Sequence, residues 1–95
     1  MTKWQMKSIK HSGTCGERLS ERQEPYYLAR NNCKVEFDYD ELKVGQPAVL
    51  YYSPKEENHG NGILTSIVTK KLGFDEEYCS FETENSNFTL KRLEK

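Results

Sequence analysis

The sequence predicts an all-β fold, a small antiparallel barrel or a strongly bent sheet, on three observations. Cys33–Tyr39 is a clean period-two segment: Cys33, Val35, Phe37 and Tyr39 share one face, and Lys34, Glu36 and Asp38 share the other. Gly62–Leu93 reads as a three-strand meander of Gly62–Lys70, Tyr78–Thr83 and Phe88–Leu93, with Glu84-Asn-Ser-Asn87 as the tight hairpin between the last two. No stretch carries a convincing helical apolar stripe. A chain of 95 residues makes one domain, residues 1–95, with a thin core. Closing its sheet would remove the exposed edges that a small open sheet has to protect.

The elements follow in order. Residues 3–9 alternate weakly around Trp4 and Met6 and predict a short edge strand. His11–Gly16 has turn chemistry, and Glu17–Glu24, with Leu19 as its only large apolar residue, reads as an exposed loop. Pro25–Arg30 reads as strand-like because tyrosine favours pleated, half-buried positions. Asn31-Asn32 breaks it, since asparagine tolerates left-handed backbone angles. After the Cys33–Tyr39 strand, Asp40–Pro47 forms a connecting loop in which Leu42 and Val44 plug the barrel end and Gly45 permits a sharp turn. Ala48–Ser53 is apolar on both faces, the pattern of a central strand covered on both sides. Lys55–Gly62 is a polar, glycine-containing loop expected to be mobile. Lys70–Glu77 reads as a long hairpin loop. Val35, Phe37, Leu50, Ile63, Ile67 and Phe81 sit on the apolar phases and are the expected core. A strand, a Leu-x-Val-Gly-x-Pro lead-in, a second strand, a polar loop and a meander together resemble the layout of Src-homology-3-like barrels.

Charge bounds the partners. The formal net charge is −1, which favours neither a nucleic-acid polymer nor a membrane. Residues 1–32 carry a net +3, residues 33–59 a net −3 and residues 60–95 a net −1. The basic N-terminal third is the one electrostatic footprint for an anionic ligand. No apolar signal segment opens the chain and no run approaches a membrane span, so a cytoplasmic location is expected. The three cysteines, Cys15, Cys33 and Cys79, are odd in number and loosely spaced, which fits thiols in a reducing compartment.

No catalytic set is recognisable, and the expectation is a non-enzymatic protein without cofactor or metal. His11 and Cys15 are four residues apart and can meet, but loop histidines are ordinarily solvated, and the other histidine, His59, lies in a polar loop. Only His11 and Cys15 approach the spacing of metal ligands. Cys33 and Cys79 lie on strands and read as small core residues. For a ligand, Arg18, Arg22 and Arg30 are the candidate phosphate partners, because guanidinium pairs bidentately with phosphate. Tyr26, in phase with Arg30 on a regular strand, is the candidate stacking ring. Thr65, Ser66 and Asn85 are candidate orienting groups for a sugar. Asn85 equally reads as simple turn chemistry, and the tyrosines as ordinary core or rim. Under this reading Arg30→Ala costs ligand affinity and leaves stability nearly intact.

Thr65-Ser-Ile-Val68, followed by Phe81-Glu-Thr-Glu-Asn-Ser-Asn-Phe-Thr-Leu90, resembles the T-S-x-V and T-x-N-S-x-aromatic-x-L pattern of small β-rich proteins of bacterial phages and mobile elements. Gly45-Gln-Pro47 also looks similar. The resemblance covers roughly half the chain. It implies a small β-rich protein without an assigned enzymatic activity, working in the host bacterial cytoplasm against host defence. Two routes fit. The protein sequesters a small phosphorylated nucleotide that serves as an immune signal, or it blocks a host protein by direct contact. A structural or regulatory protein of the element is a third. A thin core also makes a homo-oligomer plausible, with a site shared between subunits.

Overall fold

A computed structural model describes residues 1–56 and 60–94. Six antiparallel strands close into a ring: β1 (Lys3–His11), β2 (Lys34–Glu36), β3 (Pro47–Glu56), β4 (Gly60–Phe74), β5 (Tyr78–Thr83) and β6 (Ser86–Glu94). Each strand pairs with its neighbour in the chain, and β6 returns to β1 along almost the whole of β1, from Lys3↔Glu94 to His11↔Ser86. The predicted all-β barrel is therefore the observed architecture.

Period-two alternation builds the interior. Trp4, Met6 and Ile9 of β1 meet Val35, Leu50, Tyr52, Ile63, Val68, Phe81, Phe88 and Leu90 inside the ring. Rings dominate the packing. Phe37 stacks on Trp4 at 5.7 Å between centroids and meets Phe81 edge-on at 6.2 Å, while Phe81 stacks on Phe88 at 5.1 Å. The indole N–H of Trp4 donates to the Phe37 carbonyl at 3.2 Å, so the one polar atom of that side chain is satisfied.

Several expectations are corrected. Pro25–Leu28 is one turn of α-helix, not a strand: proline stands at its first position, where a missing N–H costs nothing, and Ala29 caps it. Only Lys34–Glu36 of the alternating segment joins the ladder, because Tyr39–Glu41 winds into a 3-10 turn. Tyr39 stays buried, its hydroxyl donating to the Ser80 carbonyl and accepting from the Gly73 N–H, both at 2.9 Å. Leu42 plugs the barrel end, but Val44 is exposed. Lys70–Phe74 is not loop but the outer third of β4, exposed along its length and paired with β5. Of the polar loop at Lys55–Gly62, Lys55–Glu56 and Gly60–Gly62 belong to β3 and β4, and residues 57–59, with His59, lie outside the described residues.

Ile67 is exposed while its neighbour Val68 is fully buried, so the expected phase of β4 fails there. The β3–β4 register shifts between Val49↔Leu64 and Pro47↔Ile67. Inside that irregularity the Thr65 hydroxyl takes the place of a ladder carbonyl: it accepts the Ala48 N–H at 2.9 Å and donates to the Ser66 carbonyl at 2.7 Å. One extra residue reverses the facing of everything after it.

Candidate functional site

The long connection between β1 and β2, residues 12–33, lies against the barrel, and its arginines hold it there. Arg18 forms a two-point ion pair with Glu82 of β5, at 2.8 and 3.0 Å, and donates to the Ser12 carbonyl at 2.9 Å. Glu82 also accepts from Asn87 at 3.2 Å. The Arg18 guanidinium holds the Glu82 carboxyl below the usual carboxylate range, and Glu82 in turn raises Arg18.

Arg22 is buried. It donates to the Asn85 carbonyl at 2.9 Å and the Ser86 hydroxyl at 2.8 Å, and its other edge is paired with the Glu24 carboxylate. That pairing pulls Glu24 down to about 2. The Arg22 guanidinium also lies over the Tyr27 ring, 4.1 Å from its centroid.

Arg30 is buried as well, donating to the Tyr52 hydroxyl at 3.1 Å and the Tyr26 carbonyl at 2.9 Å. Its guanidinium covers the Tyr26 ring at 3.6 Å. The expected Tyr26–Arg30 pairing is thus present, produced by a helical turn and not by strand alternation. Tyr26 meets Tyr27 edge-on at 5.0 Å, so Arg30, Tyr26, Tyr27 and Arg22 form a continuous ladder of cations and rings.

Ser66 and Asn85 meet directly, the Asn85 amide donating to the Ser66 hydroxyl at 2.7 Å. Thr65 points inward to Ala48 and does not join them. Sequence reasoning missed Ser12 and Thr14, whose hydroxyls donate to the Glu84 carbonyl, the latter at 2.7 Å. The Ser-Gly-Thr turn signal was visible, but its partner seventy residues away was not. The candidate residues therefore form two neighbouring clusters, Arg22–Asn85–Ser66 and Arg30–Tyr26. Arg18 and Thr65 are engaged elsewhere.

A second surface lies on the opposite logic. β3 is apolar on both faces, and a barrel wall has one face inside and one outside. Ala48, Leu50 and Tyr52 point in. Val49 and Tyr51 point out, 42% and 48% exposed, correcting the expectation of a strand covered on both sides. Across the ladder Val49 faces Leu64, 70% exposed, and Pro47 faces Ile67, 39% exposed. A cleft of about 200 Å³ adjoins this face, lined by Leu42, Pro47, Val49 and Tyr51 and by Asp38 and Glu41.

No helix among the described residues is long and apolar enough to cross a membrane. No protein-family model, curated protein or solved structure matches the chain.

Proposed function

We propose that this chain is a non-enzymatic binding protein that works by direct contact with another protein through the outer face of β3 and β4. The observation that carries this reading is the contiguous apolar strip of Val49, Tyr51, Leu64 and Ile67 beside an open cleft. A surface strip of this kind gains by removal from water, about 25 cal/mol per Å² of apolar area. Asp38 and Glu41 outnumber Lys43 among the charged groups of the cleft, within a segment of net −3. The fitting partner surface is an apolar patch with a basic rim. In the setting that the phage-element resemblance implies, this partner is a host defence protein in the bacterial cytoplasm.

Sequestration of a phosphorylated nucleotide is less well supported. Phosphate would have to displace Glu82 from Arg18, or Glu24 from Arg22, and a base would have to displace Arg30 from Tyr26. Thermal shift against cyclic and linear nucleotides, run beside affinity capture with wild type and Leu64→Glu, separates the two. The expected result is no nucleotide stabilisation, with a captured protein that wild type and Lys91→Ala retain and Leu64→Glu loses. A rise in melting temperature of several degrees with one nucleotide would favour sequestration.

A further inference from the structure

We propose that the Cys15–His11 pair is a covalent modification site that takes small-molecule disulfides. Cys15 is exposed, and its Sγ lies 3.6 Å from His11 Nδ1. His11 is not a loop histidine. It is the last residue of β1, in register with Ser86, and its backbone N–H and carbonyl are bonded to Ser20 and Leu19 at 2.8 Å each. The imidazole is held from the other side as well, because a Cβ on Gly16 would stand 2.6 Å from its Cγ and Nδ1. Only glycine lets the loop lie directly on the ring and deliver the preceding sulfur to Nδ1. An exposed thiol beside a held imidazole that can take its proton is the arrangement of an activated nucleophile.

The other two thiols are less open to a reagent. Cys33 is half-buried and its thiol donates to the Ala29 carbonyl at 3.6 Å. Cys79 is buried in the barrel, and burial pushes its thiol up to about 12. At Cys15 the S–H proton passes to His11 Nδ1, and the sulfur attacks one sulfur of the disulfide. The new S–S bond forms as the old one breaks, and the departing thiolate takes the proton from the imidazolium. One disulfide and one thiol give a mixed disulfide and one small thiol.

The test is stopped-flow reaction of the native protein with 4,4′-dithiodipyridine, with peptide mapping of the labelled cysteine by mass spectrometry. Cys15 is expected to react first, Cys33 later and Cys79 only after unfolding. Cys15→Ser should remove the fast phase. His11→Gln should slow it about tenfold or more, towards the range of a positioned general base. Gly16→Ala, which forces the loop off the imidazole, should slow the same phase. Labelling of Cys33 as fast as Cys15 would overturn the proposal, and so would wild-type rates in folded His11→Gln. If neither variant folds, the order of Cys15 and Cys33 in the native protein decides alone.

Discussion

The guanidinium of Arg22 donates a 2.9 Å hydrogen bond to the carbonyl oxygen of Asn85, sixty-three residues further along the chain. With Arg18 on Glu82 and Arg30 on Tyr52, it makes the basic N-terminal third a set of clasps that fix the β1–β2 connection to the barrel. Two of the three arginines that mark an anion site in the sequence, Arg22 and Arg30, are buried and committed to the fold.

These clasps have a measurable consequence for stability. Arg22→Ala removes the guanidinium bonds to the Asn85 carbonyl, which keeps the 3.4 Å bond from the Ser12 N–H, and to the Ser86 hydroxyl, and Arg30→Ala removes the guanidinium bond to the Tyr52 hydroxyl. Each should cost about 1.5–3 kcal/mol, the scale of hydrogen bonds to a charged group. The sequence-based expectation that Arg30→Ala leaves stability nearly intact is revised accordingly. Urea titration of both variants should show lower midpoints, and unchanged midpoints would mean that the clasps contribute nothing.

Acid should loosen the same region. Glu24 and Glu82 have folded pKa values depressed below the ordinary 4.5, Glu24 to about 2, by Arg22 and Arg18. A depressed carboxylate favours the folded state fully above its unfolded pKa and loses that contribution as pH falls through the folded value. Stability should therefore fall from about pH 4.5 towards pH 2. Glu82→Gln should show a shallower fall across that interval in melting temperature against pH.

Phe37 joins the Trp4 stack to the Phe81–Phe88 stack. Phe37→Ala should cost about 3–5 kcal/mol, enough to unfold a marginal domain. Near-ultraviolet circular dichroism and denaturant midpoints check it, and wild-type melting behaviour would contradict the packing described.

Gly62 stands opposite Tyr51 in the β3–β4 ladder. A Cβ there would lie 2.4 Å from the Leu50 carbonyl oxygen and 2.9 Å from the Tyr51 Cα, both of them backbone atoms. Gly62→Ala should therefore separate the two strands at a cost of about 1–3 kcal/mol, the usual range of overpacking. Amide exchange at Leu50–Tyr52 should speed up in this variant and not in Lys91→Ala, whose side chain is exposed on β6.

How much of this was legible in the sequence depends on the range of the cause. The alternation at Val35, Phe37 and Tyr39 and the turn at Asn32, φ 67°, are local patterns found where expected, and the meander is present with longer strands, its second turn cut to Glu84-Asn85 because Ser86 and Asn87 already belong to β6. Ile67 failed because the Thr65 hydroxyl substitutes for a ladder carbonyl, and no periodicity encodes that event. Pro25–Leu28 failed because tyrosine propensity outweighed a proline at a helix start, a signal that was available. The arginines were found as residues, but their partners at Glu82, Asn85 and Tyr52 depend on the closed barrel. The outward apolar face of β3 was visible as a strand apolar on both sides, and only closure of the ring shows that one side stays uncovered.

Site-specific photo-crosslinking in bacterial cells that express the protein tests the proposed contact through β3 and β4 most directly. A photo-reactive phenylalanine analogue replaces Leu64 in one variant and Lys91, exposed on β6, in a control. A discrete adduct with one other protein at position 64, absent at position 91, is the predicted result. No adduct at 64, the same adducts at both positions, or an adduct only with a second copy of this chain would contradict it.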